Sequence, residues 1–278
     1  VNSIRNAHKK GLFLPTIARV NVDVLLLQEV RGAEDRIYKC KGLMQGLREL
    51  GYEHFYWNVC SDPNLGTGYS GVAIISKLPT KDVQIGFGGE DIEGRVLTAK
   101  FDDVNITTAY SPCSQLTEEC ERSEVRKNFD INLRTHIKEQ RKEKGQDGRN
   151  KTIVVMGDLN IARTEDDCWL GIEKQKSWPG CYKYERDAFE LLLKECNLKE
   201  LGGGTEHTWF KNNTLKTRGL GMRLDYALVS GEHLKNCGFA VNTTAKGSDH
   251  QQIVLQIGGF EKNNKTERSR TENNKVGK

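Results

Sequence analysis

Six side chains suited to phosphoryl chemistry stand at the ends of apolar runs in this 278-residue chain. Glu29 follows the run 24–27, and Asp158 and Asn160 follow the run 152–156. Asp225 sits within Arg223-Leu224-Asp225-Tyr226, and Asp249-His250 precede the run 253–257. An apolar, β-branched run bounded by glycine predicts a buried strand. Acids at the C-terminal ends of such strands lie where α/β folds build their sites. Each residue alone has a plainer reading. Gly157-Asp158-Leu159-Asn160 by itself is better read as a capped turn. Glu29 alone reads as a solvated loop acid, Asp225 as an edge-strand polar residue, Asp249 as an N-cap, and His250 as a satisfied structural histidine.

Their co-occurrence shifts the balance. Hard oxygen ligands from distant parts of a chain can converge on Mg²⁺, which takes one or two carboxylates and keeps several waters. A histidine oriented by a second carboxylate can polarise or protonate a phosphoryl oxygen. A metal, an oriented water and fixed positive charge are the equipment for hydrolysing a phosphodiester. Asp158 and Asn160 read as alternate residues on an extended segment, so both face one phosphate.

The elements that must position these groups alternate along the chain. Helical spacing covers 12–20, 37–50, 124–144 and 186–198, and strands are expected at 23–28, 54–59, 71–76, 95–101, 104–110, around 153, 224–229 and 253–257. Strands that pair consecutively with helices interleaved predict an α/β fold of two packed sheets with helices outside. One domain over 1–258 is expected, then a disordered polar tail at 259–278, where apolar periodicity ends.

Composition sets the outer bounds. Hydrophobic residues make up 36% and charged residues 29%, which describes a soluble globular protein. No apolar run approaches the roughly 20 residues of a membrane span. The net charge is +4, but the segment 260–278 carries six Lys/Arg against three Glu, so any basic face of the body is local. The eight cysteines form no CxxC pair, and Cys40 and Cys196 fall in apolar helical patterns. Despite sequons at Asn105, Asn212 and Asn242, we read reduced thiols in an intracellular protein, without distinguishing nucleus, cytosol or organelle.

The motifs resemble the exonuclease III-like apurinic/apyrimidinic (AP) endonucleases of the endonuclease/exonuclease/phosphatase superfamily. LLLQEV (25–30), GYSGVAIISK (68–77), EGRVLTAKF (93–101), TAYSP (108–112), GDLNIA (157–162), RLDYALVS (223–230) and GSDHQQIVL (247–255) occur in the family's order. The resemblance implies a four-layer α-β-β-α sandwich, with two mixed, mostly antiparallel sheets flanked by helices. It implies a monomeric DNA-repair phosphodiesterase that incises double-stranded DNA 5′ to abasic sites and trims blocked 3′ ends, with Mg²⁺ as cofactor and Mn²⁺ as a substitute. Carried over by position, Glu29, Asp249 and Asn2 would hold the metal. Asp158 would activate or orient water, Asn160 would hold water or phosphate, Asp225 would orient His250 at the scissile phosphate, and Tyr110 would stabilise that phosphate. Whether Asp158 or the His250–Asp225 pair is the base stays open. Arg95 and Arg5 would support phosphates, Gly68 and Tyr69 would meet the minor groove, and Trp209, Met222 and Leu224 would line the abasic pocket.

The chain departs from the family at four places. It starts inside the N-terminal motif, so the first Asn and its strand are absent, and Ser3 replaces the usual Gly. Cys113 follows TAYSP where the family has Asn, and Met222 stands where Trp is common. The loop 168–184 interleaves Trp169 and Trp178 with Lys174, Lys176 and Lys183, which suits DNA contact and surface packing equally. The segment 121–151 carries ten Lys/Arg against six acids and reads as a solvated face. Two rivals remain. One is another superfamily hydrolase, a secreted DNase I-like nuclease or an inositol-phosphate phosphatase. The other is a non-catalytic DNA-binding relative, against which the six retained polar groups argue.

Overall fold

A computed structural model describes residues 1–88, 91–115, 120–203, 206–244 and 247–258. The expected polar tail at 259–278 lies outside the described residues. Among the described residues there are eleven strands: β1 (Val24–Gln28), β2 (His54–Asn58), β3 (Val72–Ser76), β4 (Asp82–Ile85), β5 (Val96–Lys100), β6 (Val104–Tyr110), β7 (Thr152–Asp158), β8 (Leu198–Leu201), β9 (Asp225–Ser230), β10 (Cys237–Asn242) and β11 (Gln252–Ile257). The helices are α1 (Ile4–Lys9), α2 (Phe13–Val20), α3 (Glu34–Tyr38), α4 (Leu43–Glu49), α5 (Glu121–Gln140), α6 (Ile172–Gln175), α7 (Lys183–Glu195) and α8 (Asn213–Thr217).

Side-chain alternation along the strands builds the layers. In β7, Ile153 and Val155 join the core beneath α5 and α7, with Phe129, Leu133, Ile137 and Phe189. Val154 and Met156 point the other way, into the core between the sheets. In β3, Val72 and Ile74 enter the same central core, while Ala73 and Ile75 pack beneath the N-terminal helices with Ile4, Ile17, Ile37 and Leu47. The order is therefore helix, sheet, sheet, helix.

The larger sheet runs β4-β5-β6-β7-β9-β8 and is antiparallel except for the β6–β7 pair. The facing layer comes in two pieces, a three-stranded β1-β3-β2 and a two-stranded β10-β11. Leu255 and Ile257 of β11 share the central core with Val24 and Leu26 of β1, so one hydrophobic layer spans both pieces.

Several elements differ from expectation. The helix expected over 37–50 is two helices, α3 and α4, because Gly42 takes a left-handed φ of 76° between them. Strands β4, β8 and β10 were not expected. They are short or edge strands, and β10 shows only alternating half-burial that lacks a strong apolar signature. Helix α1, also unexpected, is only 6 residues long. Among the described residues no disulfide joins the cysteines, although Cys168 Sγ and Cys181 Sγ approach to 3.9 Å. Among the described residues, no helix is long and apolar enough to cross a membrane.

Candidate active site

Register across the larger sheet assembles the centre of the site. Tyr110 at the end of β6 pairs with Asp158 at the end of β7, and Asp158 pairs with Asp225 at the start of β9. Three side chains more than a hundred residues apart at the extremes thus stand in one row across neighbouring strands. Thr208 secures the last of them, its hydroxyl accepting the backbone N–H groups of Leu224 and Asp225 at 3.0 and 3.1 Å.

His250, on the loop before β11, completes the row. Its Nδ1 lies 2.8 Å from Asp225 Oδ2, and its Nε2 lies 3.8 Å from Asp158 Oδ2. Ligand atoms of Asp158, Asp225 and His250 all fall within 4.8 Å of one another. Burial opposes the imidazolium, but the adjacent Asp225 and Asp158 carboxylates outweigh it and hold His250 protonated above its ordinary range. Burial pushes the Asp158 carboxyl well up, against the opposing pull of His250, with Asp225 and Glu29 adding to the rise. A protonated imidazole beside a carboxylate of raised basicity is an acid–base pair suited to near-neutral pH.

The opposite wall is built on β1 and the loops beyond it. Tyr110 Oη donates to Glu29 Oε1 at 2.6 Å, and Arg31 Nη2 donates to the same oxygen at 3.0 Å. Burial, with Glu29 and Asp158 nearby, raises the Tyr110 phenol far above its usual range, so it remains a neutral donor. Arg95 is buried behind Tyr110, donating to its carbonyl at 2.9 Å and to Tyr69 Oη at 3.1 Å. Tyr69 lies under the guanidinium groups of both Arg95 and Arg122. Gly68, beside it, is exposed, with open space where a Cβ would stand.

The remaining expected residues fall around this centre. Asp249 Oδ2 accepts from the Trp209 indole at 3.2 Å. Asn2 and Asp249 line one groove of about 550 Å³, with Lys10, Lys211 and Lys216 on its walls. Arg5 packs against Gly32, and its Nε is buried with no hydrogen-bond partner among the described residues. Trp209, Met222 and Leu224 join one apolar cluster with Cys168, Ile172 and Cys181, and Met222 is only 3% exposed. The segment 168–184, expected as a loop, contains α6 and the start of α7; Trp178, Lys174 and Lys176 are exposed there, while Gln175 and Cys181 are buried.

Two expectations are corrected, the loop at 168–184 and the strand position of Asn160. Asn160 is not on an extended segment: β7 ends at Asp158, and Asn160 has a left-handed φ of 48°. Its backbone N–H donates to Asp158 Oδ1 at 2.9 Å, and its side-chain amide donates to the Ser111 carbonyl at 2.8 Å. The turn and the site therefore coexist, since a tight turn delivers Asn160 where pleating would not. Ser3, Glu29, Arg31 and Ser70 are also non-glycine residues at positive φ beside the site. Each such conformation costs on the order of 1–3 kcal/mol and persists only where its surroundings over-determine it.

Four polar groups at the site carried no assigned role in the sequence. Glu93, within the EGR motif, links Arg95 to Arg122 through bonds of 2.5 to 2.8 Å. Arg31 engages Glu29, and Arg122 and Arg126 reach inward from α5. The solvated reading of 121–151 fails for these two arginines, whose side chains are 17% and 2% exposed. Their mixed-charge surroundings in sequence held no signal of that burial.

The Endonuclease/Exonuclease/phosphatase family profile matches residues 1–250. The chain belongs to that family. The DNA repair nuclease APEX1 of Danio rerio is 33% identical over 251 residues, covering 87% of this chain and 75% of its own length. An exodeoxyribonuclease of Bacillus subtilis is 29% identical over 267 residues, covering 92% of this chain and 96% of its own. The fold matches an AP endonuclease structure from Archaeoglobus fulgidus with a TM-score of 0.74 at 22% identity, covering 93% and 97% of the two chains. These relatives agree with the motif-based placement among exonuclease III-like AP endonucleases, and the chain is a nuclease-type hydrolase of this family.

Proposed function

We propose that this chain, acting as one catalytic unit over 1–258, is a metal-dependent phosphodiesterase of DNA repair that cuts duplex DNA 5′ to abasic sites. The products would be a 3′-hydroxyl and a 5′-deoxyribose phosphate, with removal of blocked 3′ ends as a second activity of the same centre. The observation that carries this reading is the row Tyr110–Asp158–Asp225 with His250 bridging its two acids.

In this reading Asp158 accepts a proton from the attacking water, a role that burial favours by raising the basicity of its carboxyl. His250, kept protonated by Asp225, donates to a non-bridging phosphoryl oxygen, where negative charge grows in the transition state. Asn160 orients the water or the phosphate. Tyr110 supplies a neutral hydroxyl, and Arg95 acts on the phosphate through Tyr110 rather than by contact. Gly68 and Tyr69 face the minor groove, Arg5 supports the backbone, and Trp209, Met222 and Leu224 border the base-less sugar.

The donor set suits a hard divalent cation. Carboxylate oxygens converge here from Asp158 and Asp225, whose ligand atoms lie within 4.8 Å of one another, from Glu29 on Tyr110, and from Asp249 beside His250. Mg²⁺, or Mn²⁺ in its place, would be held by Glu29 and Asp249 with Asn2 alongside, and would supply Lewis-acid neutralisation of phosphate charge.

The test is a duplex oligonucleotide with one stable abasic analogue, incubated with Mg²⁺ or EDTA, with Asp158→Asn as control. Mg²⁺-dependent incision at the lesion, lost in the variant, is the expected result. Trimming of 3′ ends without incision would replace it with an exonuclease whose pocket Met222 closes. Binding without any cleavage would overturn the catalytic reading.

A further inference from the structure

Arg126, on the inner face of α5, binds a carboxylate and the main chain of two loops at once. Its Nε takes both oxygens of Asp130, at 3.0 and 2.9 Å, which places an opposite charge beside it. The rest of the fork turns to main-chain carbonyls, with the buried Glu185 carboxylate 3.8 Å from Nη1. Nη2 donates to Leu159 O at 2.9 Å, and Nη1 donates to Asn160 O and Pro112 O, both at 3.1 Å. Those carbonyls belong to the two loops that begin directly after Tyr110 and Asp158.

The second observation is the left-handed turn that this clamp holds. Asn160 sits at a φ of 48°, with its side-chain amide on Ser111 O and its N–H on Asp158 Oδ1. Arg126 grips the same peptides from the core side. A left-handed non-glycine residue keeps its place when bonds on both sides specify it.

We propose that Arg126 is a positioning residue, fixing Asn160 and the Asp158 carboxylate relative to Tyr110 by tying both loops to α5. Without the fork, the Leu159–Asn160 peptide relaxes and Asp158 loses the N–H that sets its rotation. A misplacement of about 1 Å in a reacting group is enough to cost about 10²-fold in rate. The proposal rests on the phosphodiesterase reading above, because its effect is read as DNA cleavage.

Steady-state kinetics on the DNA substrate that the wild-type chain cleaves would test it, together with duplex affinity and thermal midpoints. No cleavage by wild type would count against the phosphodiesterase reading, whereas every result on Arg126 is a ratio to wild type. Arg126→Lys keeps the charge but cannot present the planar fork. It should lower kcat by about 10- to 100-fold while KM and duplex affinity stay within about threefold. Asp130→Asn spares the three carbonyl bonds, so it should lower the thermal midpoint yet hold kcat within about threefold. Unchanged kcat in Arg126→Lys, or a loss confined to KM, would overturn the proposal. So would a loss of kcat in folded Asp130→Asn, and that arm decides the matter if the lysine variant does not fold.

Discussion

Asp225 stands opposite Asp158 in register on β9 and β7, so two carboxylates share one histidine. Like charges this close disfavour each other's ionisation, and the imidazolium between them relieves that cost. Asp158→Asn should reduce DNA cleavage by about 10³-fold or more, and Asp225→Asn by about 10- to 100-fold, with the double variant far from additive. Because Asp225 helps raise the His250 proton affinity, its loss should move the imidazole titration to lower pH. Nitrogen chemical shifts followed across pH would report it, and an unmoved midpoint would sink the shared-histidine account.

Glu29 offers one oxygen already engaged by Tyr110 and Arg31. Its other oxygen is the candidate metal ligand. Glu29→Gln should raise the Mg²⁺ concentration for half-maximal cleavage by about tenfold or more, and chelation should abolish wild-type activity reversibly. A metal titration of both proteins is the check. Identical curves would remove Glu29 from the metal site.

Ser3 has φ 68° and ψ 109°, outside the regions open to residues with a Cβ, and its capping bond to the Asn6 N–H is long at 3.5 Å. Ser3→Gly should therefore stabilise the chain by about 1 kcal/mol, after allowing for the greater freedom of glycine when unfolded. Urea unfolding would measure this. Destabilisation would mean that the cap outweighs the strain.

His136 is buried against Thr98, whose hydroxyl lies 2.8 Å from its Nε2. Burial pushes its titration down to about 4, with Lys100 adding to the shift. The folded state thus binds fewer protons than the unfolded one between the ordinary histidine range near 6.5 and about 4. Stability should fall as pH drops through that window, by about 3 kcal/mol in all from this residue. His136→Gln should remove that share of the slope. An unchanged slope in urea melts from pH 7 to 4 would disprove it.

The candidate site residues were legible in the chain because strand ends are local features. The runs before Glu29 and Asp158 form β1 and β7 much as their β-branched and apolar content requires, and the motif order placed the chain in its family. Edge strands such as β4 and β10 were not legible, because half-exposed strands lack a strong apolar signature. Nor was the left-handed turn at Asn160, since pleating describes a strand only as far as its last ladder bond. Sequence alone determined which acids, amide and histidine were available, and roughly where along the chain they stand. Tertiary structure decided which of them meet. Register put Tyr110, Asp158 and Asp225 in one row, and packing turned Arg126 from an apparently solvated helix charge into a clamp on two loops. Both depend on contacts between distant segments, and no local pattern of residue types encodes those.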